Sequence, residues 1–248
     1  MIYCKNTKIE MKKIIFFLLI FFTLTTSSCW AHSFSVGEKL SYIIKLLGIP
    51  IGTQTLRVKE TVLNDEPLYV LSCTVKASEL LSVIYTLDDR IESYVDKKTL
   101  YPRLVKMEIK EGSRRENLEI TIKERGDIKE AVVWDKKEGK KKTQKVSPPY
   151  LDIVSLIYWI RVQELKIGNE FGIFLVDSTG DFKKVHFRIS ASEKVYTYRG
   201  VIFAFLCEQT SPSNKIKVWI SQDTKRIPVQ IQVNTSLGYL TAILREIR

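Results

Sequence analysis

Histidine is nearly absent from this chain: His32 and His186 are the only two among 248 residues. Nucleophilic catalysis on serine or cysteine needs a base within hydrogen-bond reach, most often a histidine. His32 falls at the predicted start of the mature chain. His186 lies on the polar phase of an alternating run, where a solvated strand histidine is the plain reading. No GxSxG, HExxH or CxxC pattern occurs, so no catalytic, cofactor-binding or metal site can be assigned from motifs. Long apolar runs are missing as well. The longest, Ile14–Leu24, is eleven residues, against the roughly 20 needed to cross a hydrocarbon core as a helix. Preceded by Met11-Lys12-Lys13, it reads as a secretory leader spanning residues 1–31, with Met11 as the start. Two processing readings stay open. Cleavage after Cys29-Trp30-Ala31 would leave a soluble chain beginning at His32. Lipidation at Cys29 would tether the protein to a membrane, although Thr26 is a poor fit to the apolar residue that the lipoprotein pattern prefers there. The expected location is therefore exported: periplasmic, or membrane-tethered if Cys29 is lipidated.

Cysteine is scarce too. Cys4 and Cys29 lie in or before the leader, which leaves Cys73 and Cys207. In an oxidising compartment they could bridge the two halves of the chain, a link worth on the order of 4 kcal/mol in the chain-entropy picture. Equally, both sit on the apolar phase of strand-like runs, where a free thiol serves as a small hydrophobe.

What the sequence has in excess is positive charge and alternation. The formal net charge is +11; the leader holds four lysines against one glutamate, so about +8 remains on residues 32–248. For an exported protein this favours anionic lipid headgroups or envelope polyanions over nucleic acid. The 217 remaining residues suit one β-rich domain. Its first half, 34–146, reads as serial hairpins with turns at Gly48-Ile49-Pro50, Asn64–Pro67, Glu111–Glu116, Gly126-Asp127 and Lys136–Lys140, plus one helical turn capped by Ser78. The second half, 170–248, repeats that grammar. Phe182, Val185, Phe187 and Ile189 alternate with charged residues, and Pro228 marks an edge or first-residue position. Val201–Cys207 is apolar in both phases and predicts a strand covered on both faces. Between the halves, LDIVSLIYWIRVQEL resists a strand reading. Asp152 is a good N-cap and Gly168 a good exit, predicting a helix over 152–166 that is apolar nearly all round and hence buried on more than one side.

VGEKLSYIIKLLGIPIGTQTLRV (Val36–Val58), DDRIESYVD (Asp88–Asp96), DIVSLIYWIR and WISQDTKRIPVQIQVNTSLGYLTAIL (Trp219–Leu244) resemble, in this order, the bacterial exported "domain of unknown function 3108" family. The resemblance covers nearly all of the mature chain. It implies an envelope location and a mostly β fold, and it carries over no catalytic or binding residue. The predicted fold is mainly β: a strongly curved antiparallel sheet, a half-open barrel or sandwich, with one central buried helix.

Three surface features invite a functional reading. Asp88, Asp89, Glu92 and Asp96 form the densest carboxylate group, open to calcium or acid–base chemistry, with a solvated strand as the plain alternative. Lys136, Lys137, Lys140, Lys141, Lys142 and Lys145 could contact an anionic surface, each such charge being worth roughly 1 kcal/mol near a membrane. Trp134, Trp159, Trp219 and Phe203 could line a cavity or simply pack. The sequence thus predicts a periplasmic or envelope protein that binds or carries an apolar component, such as a lipid or a lipoprotein acyl chain, without catalysis or cofactor. The alternatives are an envelope structural or assembly protein, and a hydrolase of unknown substrate.

Overall fold

A computed structural model describes residues 33–125, 128–212, 215–235 and 238–248. The leader, its cleavage site, Cys29 and His32 lie outside the described residues, as do Gly126-Asp127. The first half forms β1 (Lys39–Leu46), β2 (Ile49–Leu63), β3 (Glu66–Ala77), the one-turn helix α1 (Glu79–Ser82), β4 (Asp88–Asp96), β5 (Pro102–Glu111), β6 (Arg114–Arg125), β7 (Ile128–Asp135) and β8 (Lys140–Val146). A short strand β9 (Tyr150–Leu151) leads into helix α2 (Ile153–Arg161). There follow β10 (Glu170–Val176), β11 (Phe182–Thr197), β12 (Gly200–Ser211), β13 (Ile216–Ser221), β14 (Pro228–Thr235) and β15 (Gly238–Ile247).

All fifteen strands join one sheet in the order β8 down to β1, then β15 down to β9. Alternation explains why. In β5, Val105, Met107 and Ile109 are buried while Lys106, Glu108 and Lys110 face water, and β11 repeats this with Phe182, Val185, Phe187 and Ile189. The one-sided apolar face rolls the sheet into a nearly closed barrel-like form. Pro228 takes the first-residue position of its strand, where no ladder N–H is lost.

The edges β8 and β9 are not joined by a ladder. Instead, the Gln144 carboxamide of β8 donates to the Phe182 carbonyl at 2.7 Å and accepts the Phe182 N–H at 3.0 Å, the two bonds a neighbouring strand would make. Beside it, the Lys142 ammonium meets Asp181 at 2.5 Å and the Thr179 carbonyl at 3.1 Å. A Cβ on Gly180 would lie 2.6 Å from Val133 Cγ1 of β7, so a side chain there would push the seam apart. Under it lies a satellite core that includes Val105, Leu118, Ile120, Val133, Tyr150 and Phe182.

The main core surrounds α2, whose residues from Val154 to Arg161 are all buried, as an all-round apolar helix requires. Its N-terminus is pinned by Asp152, fully buried: Val154 N–H and Ser155 N–H donate to one carboxylate oxygen, and the hydroxyls of Ser155 and of Ser93 on β4 donate to the other, each at 2.6 Å. Its C-terminus is pinned by Arg161, 0% exposed, whose guanidinium forks onto Glu38 at 2.6 and 2.9 Å. The same group donates to the carbonyls of Ser33 and Lys225 and stacks near Phe34 and Tyr158.

Two expectations need correction. The helix ends at Arg161, not near residue 166. The chain tightens at Val162 and Gln163, whose N–H groups reach back three residues, and the Arg226 guanidinium takes the carbonyls of Arg161 and Gln163 at 3.0 and 2.6 Å. Nor is Val201–Cys207 covered on both faces: Val201 and Phe203 are 53% and 55% exposed. Further along the same phase the strand is closed over, with Cys207 buried in the main core, and the backbone of α2 runs closest to β3, β4 and β9.

Breaking the buried ion pair should cost about 3–5 kcal/mol in Arg161→Ala or Glu38→Ala. The double variant Glu38→Gln/Arg161→Met should cost much less than the two losses added, as read by chemical denaturation; additive losses would show that the pair is not the anchor. A second expectation concerns acid. Partial burial works to raise the pKa of Asp177, at the β10–β11 turn, but the Lys183 ammonium, the Thr179 hydroxyl and the N–H groups of Thr179 and Asp181 outweigh it and hold the carboxyl down at about 2. A carboxyl lowered on folding stabilises fully above its unfolded value, near 3.9, and loses that contribution as pH falls toward 2. Amide protection at Thr179 and Asp181 should therefore fade between about pH 4 and pH 2. Asp177→Asn should abolish that pH dependence.

Candidate functional site

Antiparallel alternation sends the connections that follow β1, β3, β5, β7, β10, β12 and β14 to one end of the sheet. That end carries six large apolar side chains that the fold leaves in water, seven with Trp134; a comparable set, Val36, Val62, Ile167, Tyr196, Tyr198, Val201 and Phe203, lies toward the opposite end. Leu47 and Ile49 flank the β1–β2 turn, Leu80, Val83 and Ile84 belong to α1 and its exit, and Tyr239 opens β15; their exposures run from 50% to 88%. The turns that carry them are neighbours along this end. Leu47 Cδ2 is 2.8 Å from where a Cβ on Gly238 would stand, and the Ser78 N–H that starts α1 donates to the Ile51 carbonyl at 2.8 Å.

Local structure forces this display. Leu47 and Gly48 both take positive φ, 49° and 87°, the pairing of a tight hairpin turn that Asn-Gly normally supplies. A leucine there is uphill for the backbone and for water alike. In α1, Ser78 caps the turn by accepting the Leu81 N–H at 3.3 Å, as its position in the sequence predicts. Leu80, Val83 and Ile84 are spaced i, i+3, i+4, one face of a helix, and that face points outward. Tyr85 turns back to lie against Gly112 of the β5–β6 turn.

The lysine cluster stands at the same end. Lys136 and Lys137 lie in the β7–β8 turn and Lys140, Lys141 and Lys142 start β8, with Lys145 further along; all six are exposed. Lys136 pairs with Glu119, Lys140 with Glu138 and Lys142 with Asp181. Exposed pairs of this kind are worth about 0–1 kcal/mol and yield readily to another anion. The ammonium groups of Lys136 and Lys141 lie 5.2 and 5.0 Å from the centre of the half-exposed Trp134 ring. Lys137 reaches the Arg115 carbonyl at 3.2 Å, which ties this turn to its β5–β6 neighbour.

The other sequence candidates scatter. Asp89 accepts the Lys110 N–H at 2.9 Å, and burial pushes its carboxyl upward. Glu92 pairs with Arg90, and Asp96 caps the turn before β5. Among the described residues, no three His, Cys, Asp or Glu come together as a metal site. His186 is exposed on β11, its ring against Gly172. Trp159 and Trp219 are core residues: Trp159 packs edge-on to Phe171, and the Trp219 indole N–H donates to Glu193. Phe203 lies outside with the Lys194 ammonium over its ring. An open groove of about 430 Å³ borders the β2–β3 turn and strands β5 and β6. Its central Arg103 is already answered by Glu124, Glu66 and Asp96.

Cys73 and Cys207 are both buried and free, not bridged. Cys73 accepts from Gln54 at 3.4 Å. Burial pushes the Cys73 thiol up to about 12, and the Cys207 thiol higher still. Neither holds a thiolate near neutral pH, so neither is a ready nucleophile.

The profile of a family described as "Protein of unknown function (DUF3108)" matches residues 40–245. No curated protein matches. Among solved structures, the chain is similar to the crystal structure of a β-barrel-like protein of domain of unknown function DUF1849 from Brucella abortus, with a TM-score of 0.53 and 9% sequence identity over 86% of this chain and 97% of that one. At that identity the likeness shows the fold alone.

Native protein should leave Cys73 and Cys207 unreactive toward a thiol-specific reagent at pH 8, and denaturation should release both. A reductant should not shift the melting temperature. A lowered melting temperature with thiols appearing only after reduction would establish a bridge.

Proposed function

Starting from a chain that belongs to the DUF3108 family, we propose an exported envelope protein that works by binding rather than by catalysis, engaging an apolar or amphiphilic envelope component at its turn-bearing end. One observation carries this reading. Six large apolar side chains, half to nearly fully exposed, stand on the turns at one end of the barrel, the end that also carries the exposed lysine cluster. Exposed apolar groups gathered on one end of a protein mark an interaction site more often than groups scattered singly do. Their cost is also local. Leu47 occupies a backbone conformation that Asn or Gly would fill more easily, which argues that the side chain is kept for contact.

The interior is the less favoured place for the ligand. The side chains of α2 share one core with β1–β4 and β10–β15, and that packing supports a plug more than a lid. A reading as an assembly factor that extends its sheet edge gains little, because Gln144 of β8 already spends its amide on Phe182. Catalysis gains little either, since His186 and the Asp88–Asp96 carboxylates are dispersed over turns and outer faces. Binding with export, and tethering if Cys29 is lipidated, is what the leader and the rim together support.

Replacing Leu80, Val83 and Ile84 together by Ser should leave the melting temperature within about 2 °C, since exposed positions contribute little to stability. The same variant should lose most of the protein's co-sedimentation with crude envelopes. Equal sedimentation of both proteins, or none by either, would sink the rim as the working surface.

A further inference from the structure

Resting on that reading, we infer that the occupant of the rim is the surface of an anionic lipid bilayer: Leu47, Ile49, Leu80, Val83, Ile84 and Tyr239 enter the headgroup–acyl boundary, and the lysines of the β7–β8 turn meet the phosphates. Shape favours a membrane over a protein. The apolar groups and the lysines are spread along the rim from β15 through β1 to β8, nine adjacent strands of the sheet. A protein interface concentrates its anchors in one desolvated centre. Here they stand as separate tips on a ring of turns, and a ring of turns at one end of a barrel can meet a flat, fluid surface all at once. At about 4.8 Å per strand, α1 and the β7–β8 turn are some 15–20 Å apart, so aliphatic tips and lysines can reach the membrane side by side.

Charge points the same way. The segment from Asp135 to Lys142 holds five lysines against two carboxylates. Trp134, with Lys136 and Lys141 over its ring, is the combination of amphipathic ring and cation that settles at membrane interfaces. Glu79, Asp88 and Asp89 near α1 oppose close approach on that side, so the insertion there is apolar and the electrostatic attraction comes from the lysine turn.

The test uses the protein purified as the cell processes it, with lipid vesicles of pure phosphatidylcholine and of phosphatidylcholine with 30% phosphatidylglycerol, chosen as the probe. Wild type should sediment with the anionic vesicles and detach in 0.5 M salt, screening being nearly complete at that ionic strength. L80S/V83S/I84S should bind at least tenfold more weakly. Lys137→Glu/Lys141→Glu should lose at least tenfold and its salt dependence, at roughly fivefold per lysine charge removed. Because the leader is unaltered in the variants, whatever it contributes cancels. A second reading covers a tethered form: with Trp30, the neighbour of Cys29, replaced by Phe in both proteins, spin-labelled lipid should quench tryptophan emission, and that quenching should vanish in Trp134→Phe. Binding to neutral vesicles as strong as to anionic ones, or variants that bind like wild type with Trp134 unquenched, would overturn the proposal. Should wild type sediment with crude envelopes and with neither vesicle, the rim would still be the working surface and its partner would be a protein. Should it sediment with none, both readings fall.

Discussion

Arg161 is the group this fold can leave neither to water nor to hydrocarbon. It ends a helix whose other buried positions, Ser155 apart, are apolar or aromatic, and an unpaired guanidinium at zero exposure would outweigh much of a domain's net stability. Glu38, just before β1, supplies the counter-charge, and the carbonyls of Ser33 and Lys225 add two acceptors, while Nε has none among the described residues. One side chain thus ties the helix to the start of the sheet and to the β13–β14 connection. Asp152 does the same at the other end through Ser93 of β4. With both ends fixed, α2 has a single place inside the barrel, and the apolar faces of the strands have something specific to close around.

The second constraint is the seam. A fifteen-strand sheet that curls this far must either pair its last strands or protect them, since unpaired edges invite other chains. Here a glutamine side chain imitates a strand for one residue, an exposed lysine–aspartate pair flanks it, and Gly180 keeps the approach close enough for both. The device is weak in energy and specific in geometry, because only a carboxamide offers donor and acceptor in that spacing.

The fold was largely legible because its signals are local. Alternation in β5 and β11, the Ser78 and Asp152 caps, and the run of apolar residues from Ile153 to Ile160 all act within a few residues of themselves. What escaped acts at a distance. Glu38 and Arg161 are 123 residues apart, and no pattern near either announces the other, although the one charged residue in an otherwise largely apolar helix is a signal that something must answer it. The helix terminates where Arg226, 65 residues downstream, claims its carbonyls, whereas Gly168 advertised a later stop. The exposure of Val201 and Phe203 depends on whether a second layer covers β12, which composition cannot say. The candidate site was half visible: the lysine turn stood out as a run of charge, while Leu47, Leu80, Val83 and Ile84 carry no local pattern that marks them for the rim, and only the sheet places them there.

The pairing of β1 with β15, Leu40 opposite Ile247 and Leu46 opposite Leu240, sets a timetable for the chain's birth. The first eight strands form a simple meander, each able to zip onto its predecessor as it emerges. Yet β1 keeps one bare edge until β15 is in place, and the second set of strands joins the first only through that strand. Contacts closed over some two hundred residues are entropically late and slow. The sheet therefore keeps an open margin until late in folding, and β15 is its keystone.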